Sequence, residues 1–183
     1  ASPYTLGKNE KRHCVFGRQA AAIHTPILYI NNVGIQNNGK TVYTFDGDST
    51  VYDRRGLIRA AAKAYQATLL SVTLEALEEM PEISPPKKTE AENIFPALAY
   101  GLRHFLSAIK MKRVVIGLSG GIDSAVAAAL YCHVLGPKNI LLINMPSRFT
   151  STTTQELAVQ LAKNLDCRYA VFPIQESVDF TIR

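Results

Sequence analysis

RVVIGLSGGIDSAVAAALYCHVLG, from Arg113 to Gly136, decides the fold. RVVIGL is a continuous apolar run after its arginine, the pattern of a strand buried in a parallel sheet. SAVAAALYCHVLG predicts a helix closed by Gly136, a residue type suited to the turn at a helix end. A strand, a glycine turn and a helix in that order begin a parallel α/β crossover. The alternation then repeats. NILLINM predicts a second buried strand, SRFTSTTT a loop, TQELAVQLAKNL a helix and RYAVFPI a third strand. This half is therefore expected to form an α/β fold with a doubly wound, Rossmann-like parallel sheet. Upstream, Leu98, Leu102, Phe105, Leu106 and Ile109 share helical spacing after Pro96, which predicts a helix leading into the first strand.

The glycine turn lies at the carboxyl end of its strand, where open α/β sheets bind ligands. Gly120 and Gly121 permit a sharp turn that aims backbone N–H groups at an anion. Ser119 and Ser124 can each donate a hydroxyl hydrogen bond, and a helix starting near Ser124 adds its positive dipole end. Phosphate is the anion that suits this set. The usual mononucleotide loop carries a lysine for the terminal phosphates; here there is none, and Asp123 stands in the loop. A carboxylate repels phosphates unless a bridging Mg²⁺ with hard oxygen donors lies between them. A glycine-rich turn with Ser and Asp capping a helix is the bland alternative. The complete SGGIDS run between strand and helix favours a nucleotide.

Composition sets the outer limits. Of 183 residues, 47% are hydrophobic and 19% charged, too apolar for a disordered chain. The net charge of +5 is mild and scattered, and no aromatic-basic interleaving points to nucleic acid. Cys14, Cys132 and Cys167 are odd in number and far apart, without metal-ligand spacing. That usage fits a reducing, cytoplasmic setting. No apolar run approaches a membrane span. Cys14 is expected to be a small buried hydrophobe, and His13, His24, His104 and His133 to be ordinary residues.

The amino-terminal half has a different period. KNEKRHCVFGRQAAAIH predicts a helix with Val15, Ala22 and Ile23 among polar positions. PILYINNVG, TVYTF and STVYD read as strands, joined through the turn signals QNNGK and DGD by two hairpin-like connections. AKAYQATLLSVTL predicts another strand. EEMPEISPPKKTEAEN is polar and proline-rich and reads as a linker. The expected organisation is residues 1–80 as one domain, 81–93 as linker and 94–183 as the start of a second. The opening ASPYTLGKNEKR reads as mid-protein sequence, so the chain is expected to be an excerpt.

SGGIDS resembles the PP-loop signature of the N-type ATP pyrophosphatases, which activate an oxygen as an adenylate and release pyrophosphate. The stretch NMPSRFTSTTTQELAVQLAKNLDCRYAVFPIQ is similar to the corresponding stretch of glutamine-dependent NAD synthetases. ASPYTLGKNEKR, PILYINNVG and FDGDSTVYDRRG resemble the carboxyl-terminal part of a nitrilase-type α/β sandwich, the glutaminase that precedes the PP-loop domain in that family. Two resemblances in the family's order are more specific than either alone.

The resemblance implies a carbon–nitrogen ligase of NAD biosynthesis. Its substrates would be ATP, deamido-NAD and glutamine, with Mg²⁺ as cofactor, and it would act as a homo-oligomer without nucleic acid or membrane. It implies that Gly117, Leu118, Ser119, Gly120, Gly121, Ile122, Asp123 and Ser124 hold ATP phosphates, with Asp123 toward the metal. Met145 would border adenine and Arg148 the nucleotide; a strand-end core residue and a solvated loop charge are the alternatives. Ser2 and Lys8 match the pair that holds glutamine, Lys8 otherwise being a helix-surface charge. The family's glutaminase nucleophile matches no residue here, so the piece alone is expected to be inactive. Another amidotransferase of the group, such as GMP synthetase, and a non-catalytic ATP-binding module remain alternatives. The absence of CxxC argues against sulfur transfer to tRNA.

Overall fold

The computed structural model describes residues 2–182, and the chain divides into two compact units, Ala1–His104 and Phe105–Arg183. The first unit opens on α1 (Lys8–Ile23). Its strands are β1 (Ile27–Tyr29), β2 (Val33–Asn37), β3 (Val42–Asp46), β4 (Thr50–Tyr52) and β5 (Ile58–Ala61). They form two antiparallel sheets, one ordered β1-β4-β5 and one pairing β2 with β3. β4 is buried along its whole length because both faces of its sheet are covered. Tyr52 joins Ala20 of α1, Ile58, Phe16 and Ile27 on one face. Val51 points the other way, as strand alternation requires, and packs with Ala60, Leu77 and Met80.

Several expectations for this unit are corrected. PILYINNVG does not form one strand; it divides between β1 and β2 in different sheets, because Asn31 leaves the ladder and spends its amide on Ser2 and Asp46. QNNGK closes the β2–β3 hairpin, in register from Val33↔Asp46 to Asn37↔Val42. DGD does not close a second one. Gly47 (φ 69°) and Asp48 (φ 51°) both take left-handed backbone there and carry the chain from one sheet to the other. AKAYQATLLSVTL contains no strand; β5 lies before it, and Leu69 and Leu74 of that stretch are exposed. Cys14 is exposed rather than buried, since α1 turns Arg12, Gly17 and Ala20 inward.

Residues 81–89 have neither helix nor strand, and their start is tied down by Ile83 N–H donating to Ile58 C=O at 2.9 Å. α2 (Glu90–Ala108) begins before Pro96 rather than after it. A reciprocal cap explains the early start. The Thr89 hydroxyl accepts from the Glu92 N–H, and the Glu92 carboxylate accepts from the Thr89 N–H at 2.8 Å. That backbone bond holds the Glu92 carboxyl below its ordinary range. Of the face expected, Leu106 is buried and Leu102 and Phe105 are half-buried, whereas Leu98 and Ile109 at its two ends are about half exposed; Ala97 and Ala99 are buried as well.

The second unit holds β6 (Val114–Gly117), α3 (Ile122–Leu135), β7 (Ile140–Asn144), α4 (Thr152–Asn164), β8 (Arg168–Val171) and α5 (Gln175–Ile182). Its three strands are parallel and ordered β6-β7-β8, the α/β arrangement read from the apolar runs. Ala128 of α3 and Ala158 and Ala162 of α4 pack with Leu118, Ile140 and Leu142, so both crossover helices cover one face. β6 is consequently not buried throughout: Val115, on the opposite face, is 63% exposed. α3 starts two residues earlier than expected, with Gly121 as its N-cap. α4 also starts early, because the Ser151 hydroxyl accepts from the Thr154 N–H. α5 is an element that the periodicity did not suggest.

Candidate functional site

The loop between β6 and α3 is built by the sheet beneath it. Leu118 N–H donates to Ile143 C=O at 2.7 Å, extending the β6–β7 pairing one residue past the strand. The Leu118 side chain is in the core, so only its backbone faces the loop. Gly120 then turns at φ 88°, directly over the first turn of α4. A Cβ at that position would collide with the Thr154 carbonyl group and lie 2.9 Å from its Cα. No side chain caps the amino end of α3, so its first N–H groups remain open to a ligand.

The two serines close the turn. Ser119 and Ser124 hydroxyls are 3.1 Å apart, Ser119 Oγ accepts from Gly121 N–H, and Ser124 Oγ donates to Gly121 C=O at 2.9 Å. Each is a short, rotatable donor that an anion can recruit. Ile122 and Asp123 occupy the exposed start of α3, and Asp123 makes no ion pair among the described residues. An open groove of about 420 Å³ runs from Gly120, Gly121 and Ile122 along α3 to Leu157 and Leu161 of α4.

Met145 follows β7 directly, and its Cε lies 3.5 Å from where a Gly117 side chain would begin. It is half exposed beside the loop. Arg148 stands farther along the same connection and is held by α5. Its Nη1 is 3.4 Å from the Asp179 carboxylate, and its N–H donates to Gln175 Oε1 at 2.7 Å. In the first unit, Ser2 and Lys8 line one pocket of about 480 Å³ together with Lys11, Arg12 and Tyr29. Lys8 Nζ donates to the carbonyl of Pro3, the residue after Ser2, at 2.9 Å.

Asn144 supports the loop from the neighbouring strand and was not among the expected site residues. It ends β7, is buried, and its Nδ2 donates to the Leu118 carbonyl at 2.7 Å, where the strand becomes the loop. The available signal was a polar residue closing the otherwise apolar run ILLIN. Replacing Asn144 by Leu leaves that carbonyl without its partner and is expected to cost about 1–3 kcal/mol in urea denaturation. An unchanged midpoint would show that the carbonyl needs no such partner.

Strand, lysine-free glycine turn and open helix end together make a parallel α/β unit with an exposed turn at the carboxyl end of its first strand. Residues 94–182 match the NAD synthase family model. The glutamine-dependent NAD(+) synthetase of Synechocystis sp. is 33% identical over 177 residues, which cover 95% of this chain and 31% of that protein. The enzyme of the same name from Rhodobacter capsulatus is 34% identical over 180 residues, covering 95% and 32%. Among solved structures, glutamine-dependent NAD+ synthetase from Acinetobacter baumannii in complex with adenosine diphosphate superposes with a TM-score of 0.87 at 26% identity. That match covers all of this chain and 34% of the other. The chain thus spans about a third of the length of the curated relatives it matches.

Proposed function

We propose that this chain is part of a ligase that amidates deamido-NAD to NAD with ATP and glutamine-derived ammonia. The observation that carries the reading is the SGGIDS turn, with Gly120 packed over α4 and the uncapped end of α3 behind it. Gly117–Ser124 would grip the phosphates of ATP while a nicotinate carboxylate oxygen attacks the α-phosphorus. The bond to the departing pyrophosphate breaks as the new P–O bond forms. The loop N–H groups and the dipole of α3 stabilise the leaving charge. Ammonia then attacks the acyl carbon, AMP leaves and the nitrogen loses a proton, giving the amide. Met145 borders the adenine side of this site. Arg148, although engaged by Asp179, remains exposed enough to reach the nucleotide.

Mg²⁺ is compatible with this donor set. No cluster of three or more His, Cys, Asp or Glu side chains exists among the described residues. The ion commonly uses one or two carboxylates plus substrate phosphates, and Asp123 supplies the carboxylate here. When bound, it neutralises charge on the phosphates. Asp123→Asn in the full-length protein is expected to lower AMP formation about a hundredfold or more, with the far-UV circular dichroism unchanged. Retained activity would remove Asp123 from the site.

Ser2 and Lys8 are proposed to hold glutamine through its α-amino and α-carboxylate groups in a nitrilase-like unit of residues 1–80. Residues 81–93 then serve as linker and 94–183 as the synthetase part; the family match from residue 94 supports that division. The enzyme is read as a cytoplasmic homo-oligomer without nucleic-acid partners. No helix among the described residues is long and apolar enough to cross a membrane.

A further inference from the structure

We propose that Asp46 sets the position of Ser2 by two routes, and that Asn31 and Tyr29 are positioning residues for glutamine in the amino-terminal pocket. The inference rests on the reading of Ser2 and Lys8 given above. Asp46 ends β3 with its side chain fully buried. Its Oδ1 accepts from Asn31 Nδ2 at 3.0 Å and from Arg12 Nη2 at 3.4 Å. Both donors lead on to Ser2.

The first route reaches the backbone. Asn31 Oδ1 accepts from the Ser2 N–H at 2.8 Å, while Asn31 Nδ2 also donates to the Ser2 carbonyl at 3.3 Å. One amide side chain thereby pairs with both main-chain groups of Ser2, as a neighbouring strand would. Asn31 itself is held by its N–H donating to Ser49 Oγ at 3.0 Å. With its backbone satisfied in this way, Ser2 keeps its hydroxyl for the pocket.

The second route reaches that hydroxyl. The Arg12 guanidinium lies 4.6 Å from the Tyr29 ring centroid, and the ring of Phe16, one turn later on α1, is 4.9 Å from Tyr29. Tyr29 thus packs against both a cation and an aromatic ring of α1, and its hydroxyl stands 3.4 Å from Ser2 Oγ. Arg12 has a side chain only 3% exposed, pairs with Asp46 and Asp48, and keeps Nη1 without a hydrogen-bond partner. A buried ion pair roughly breaks even against apolar packing, so stability alone is a weak account of this one. Precise placement of a binding hydroxyl is a better one, because a site loses affinity when its supporting groups loosen. The pocket supports the same chemistry: Lys8, Lys11 and Arg12 line it and no acidic side chain does, which suits a ligand carboxylate.

The test uses the full-length enzyme and compares glutamine-driven with ammonia-driven amidation. Added ammonia bypasses the pocket and so controls for folding and for the synthetase reaction. Lys8→Ala tests the pocket reading: it should raise the KM for glutamine and leave the ammonia-driven rate alone, and a normal KM would sink that reading. Asn31→Ala and Tyr29→Phe test the inference. Each is expected to raise the KM for glutamine about three- to tenfold, the scale of one hydrogen bond, at an unchanged ammonia-driven rate. Tyr29→Phe retains the ring against Arg12 and Phe16, so it decides the matter if Asn31→Ala does not fold. If Lys8→Ala raises the KM while Tyr29→Phe and any folded Asn31→Ala leave it at the wild-type value, the positioning role is overturned. A loss of thermal stability with no rise in KM has the same meaning.

Discussion

Gly120→Ala is expected to reduce ATP-dependent pyrophosphate release about a hundredfold or more, because a displacement near 1 Å at a reacting site costs that much. Two effects act together. The residue has φ 88°, where an L side chain costs roughly 1–2 kcal/mol. The new Cβ would also meet the backbone of Thr154, 2.7 Å from its carbonyl carbon and closer still to the oxygen. Backbone cannot swing aside as a side-chain tip can. Either the loop lifts away from α4, which moves Ser119 and Gly121, or the first turn of α4 shifts and strains the Ser151 cap. Initial rates of pyrophosphate release from the full-length protein, with thermal unfolding as a control, distinguish a misplaced loop from a lost fold. A variant with wild-type turnover would show that the close packing of loop on helix is not needed.

Asp53→Ala is expected to destabilise the first unit by about 3–5 kcal/mol, the cost of leaving a buried charge unpaired. The Asp53 side chain is fully buried. Its Oδ1 accepts from the Arg55 and Leu57 N–H groups, both at 2.9 Å, and its Oδ2 from Arg59 Nε at 2.8 Å. Arg59 is itself buried and would lose its counter-charge. Burial by itself pushes the Asp53 carboxyl upward. The Leu57 N–H, then Arg59 and the Arg55 N–H, outweigh it and hold the carboxyl below its ordinary range. A depressed folded value means that the stabilisation is complete above the unfolded pKa, near about 3.9. It is lost as pH falls through the folded value. Urea midpoints should therefore differ widely between wild type and Asp53→Ala at pH 7, and the gap should narrow as the medium is acidified below that range. A gap that stays constant into strong acid would contradict the assignment.

The parallel unit was the more legible half, for a physical reason. VVIG and ILLIN are strands whose partners come next in the chain, so local apolar runs and the helices between them already specify the topology. α3 and α4 each start two residues before the apolar period does, at the glycine turn ending in Gly121 and at the Ser151 cap, and neither feature belongs to that period. The antiparallel unit depends on distant partners. β1 pairs with β4 rather than with its neighbour, and Asn31 interrupts an apolar run to serve Ser2, 29 residues away. No periodicity encodes that. Thr89 and Glu92 match the spacing of a capping box, while Pro96, a residue type common in a first helical turn, lies inside α2 and offers a competing start signal. At the site, the glycine loop was legible since its chemistry lies in consecutive residues. Asn144 and the Asp46–Arg12 pair were not, because their partners are 26 and 34 positions distant.

The central claim is that the loop serves an enzyme that adenylates deamido-NAD. AMP and pyrophosphate formation by the full-length protein, measured with Mg-ATP and ammonia in the presence and absence of deamido-NAD, tests it most directly. The account predicts that both products appear in equal amounts with NAD, and only when deamido-NAD is present. Product formation driven by xanthosine monophosphate instead, or ATP binding with no pyrophosphate released alongside deamido-NAD, would contradict it.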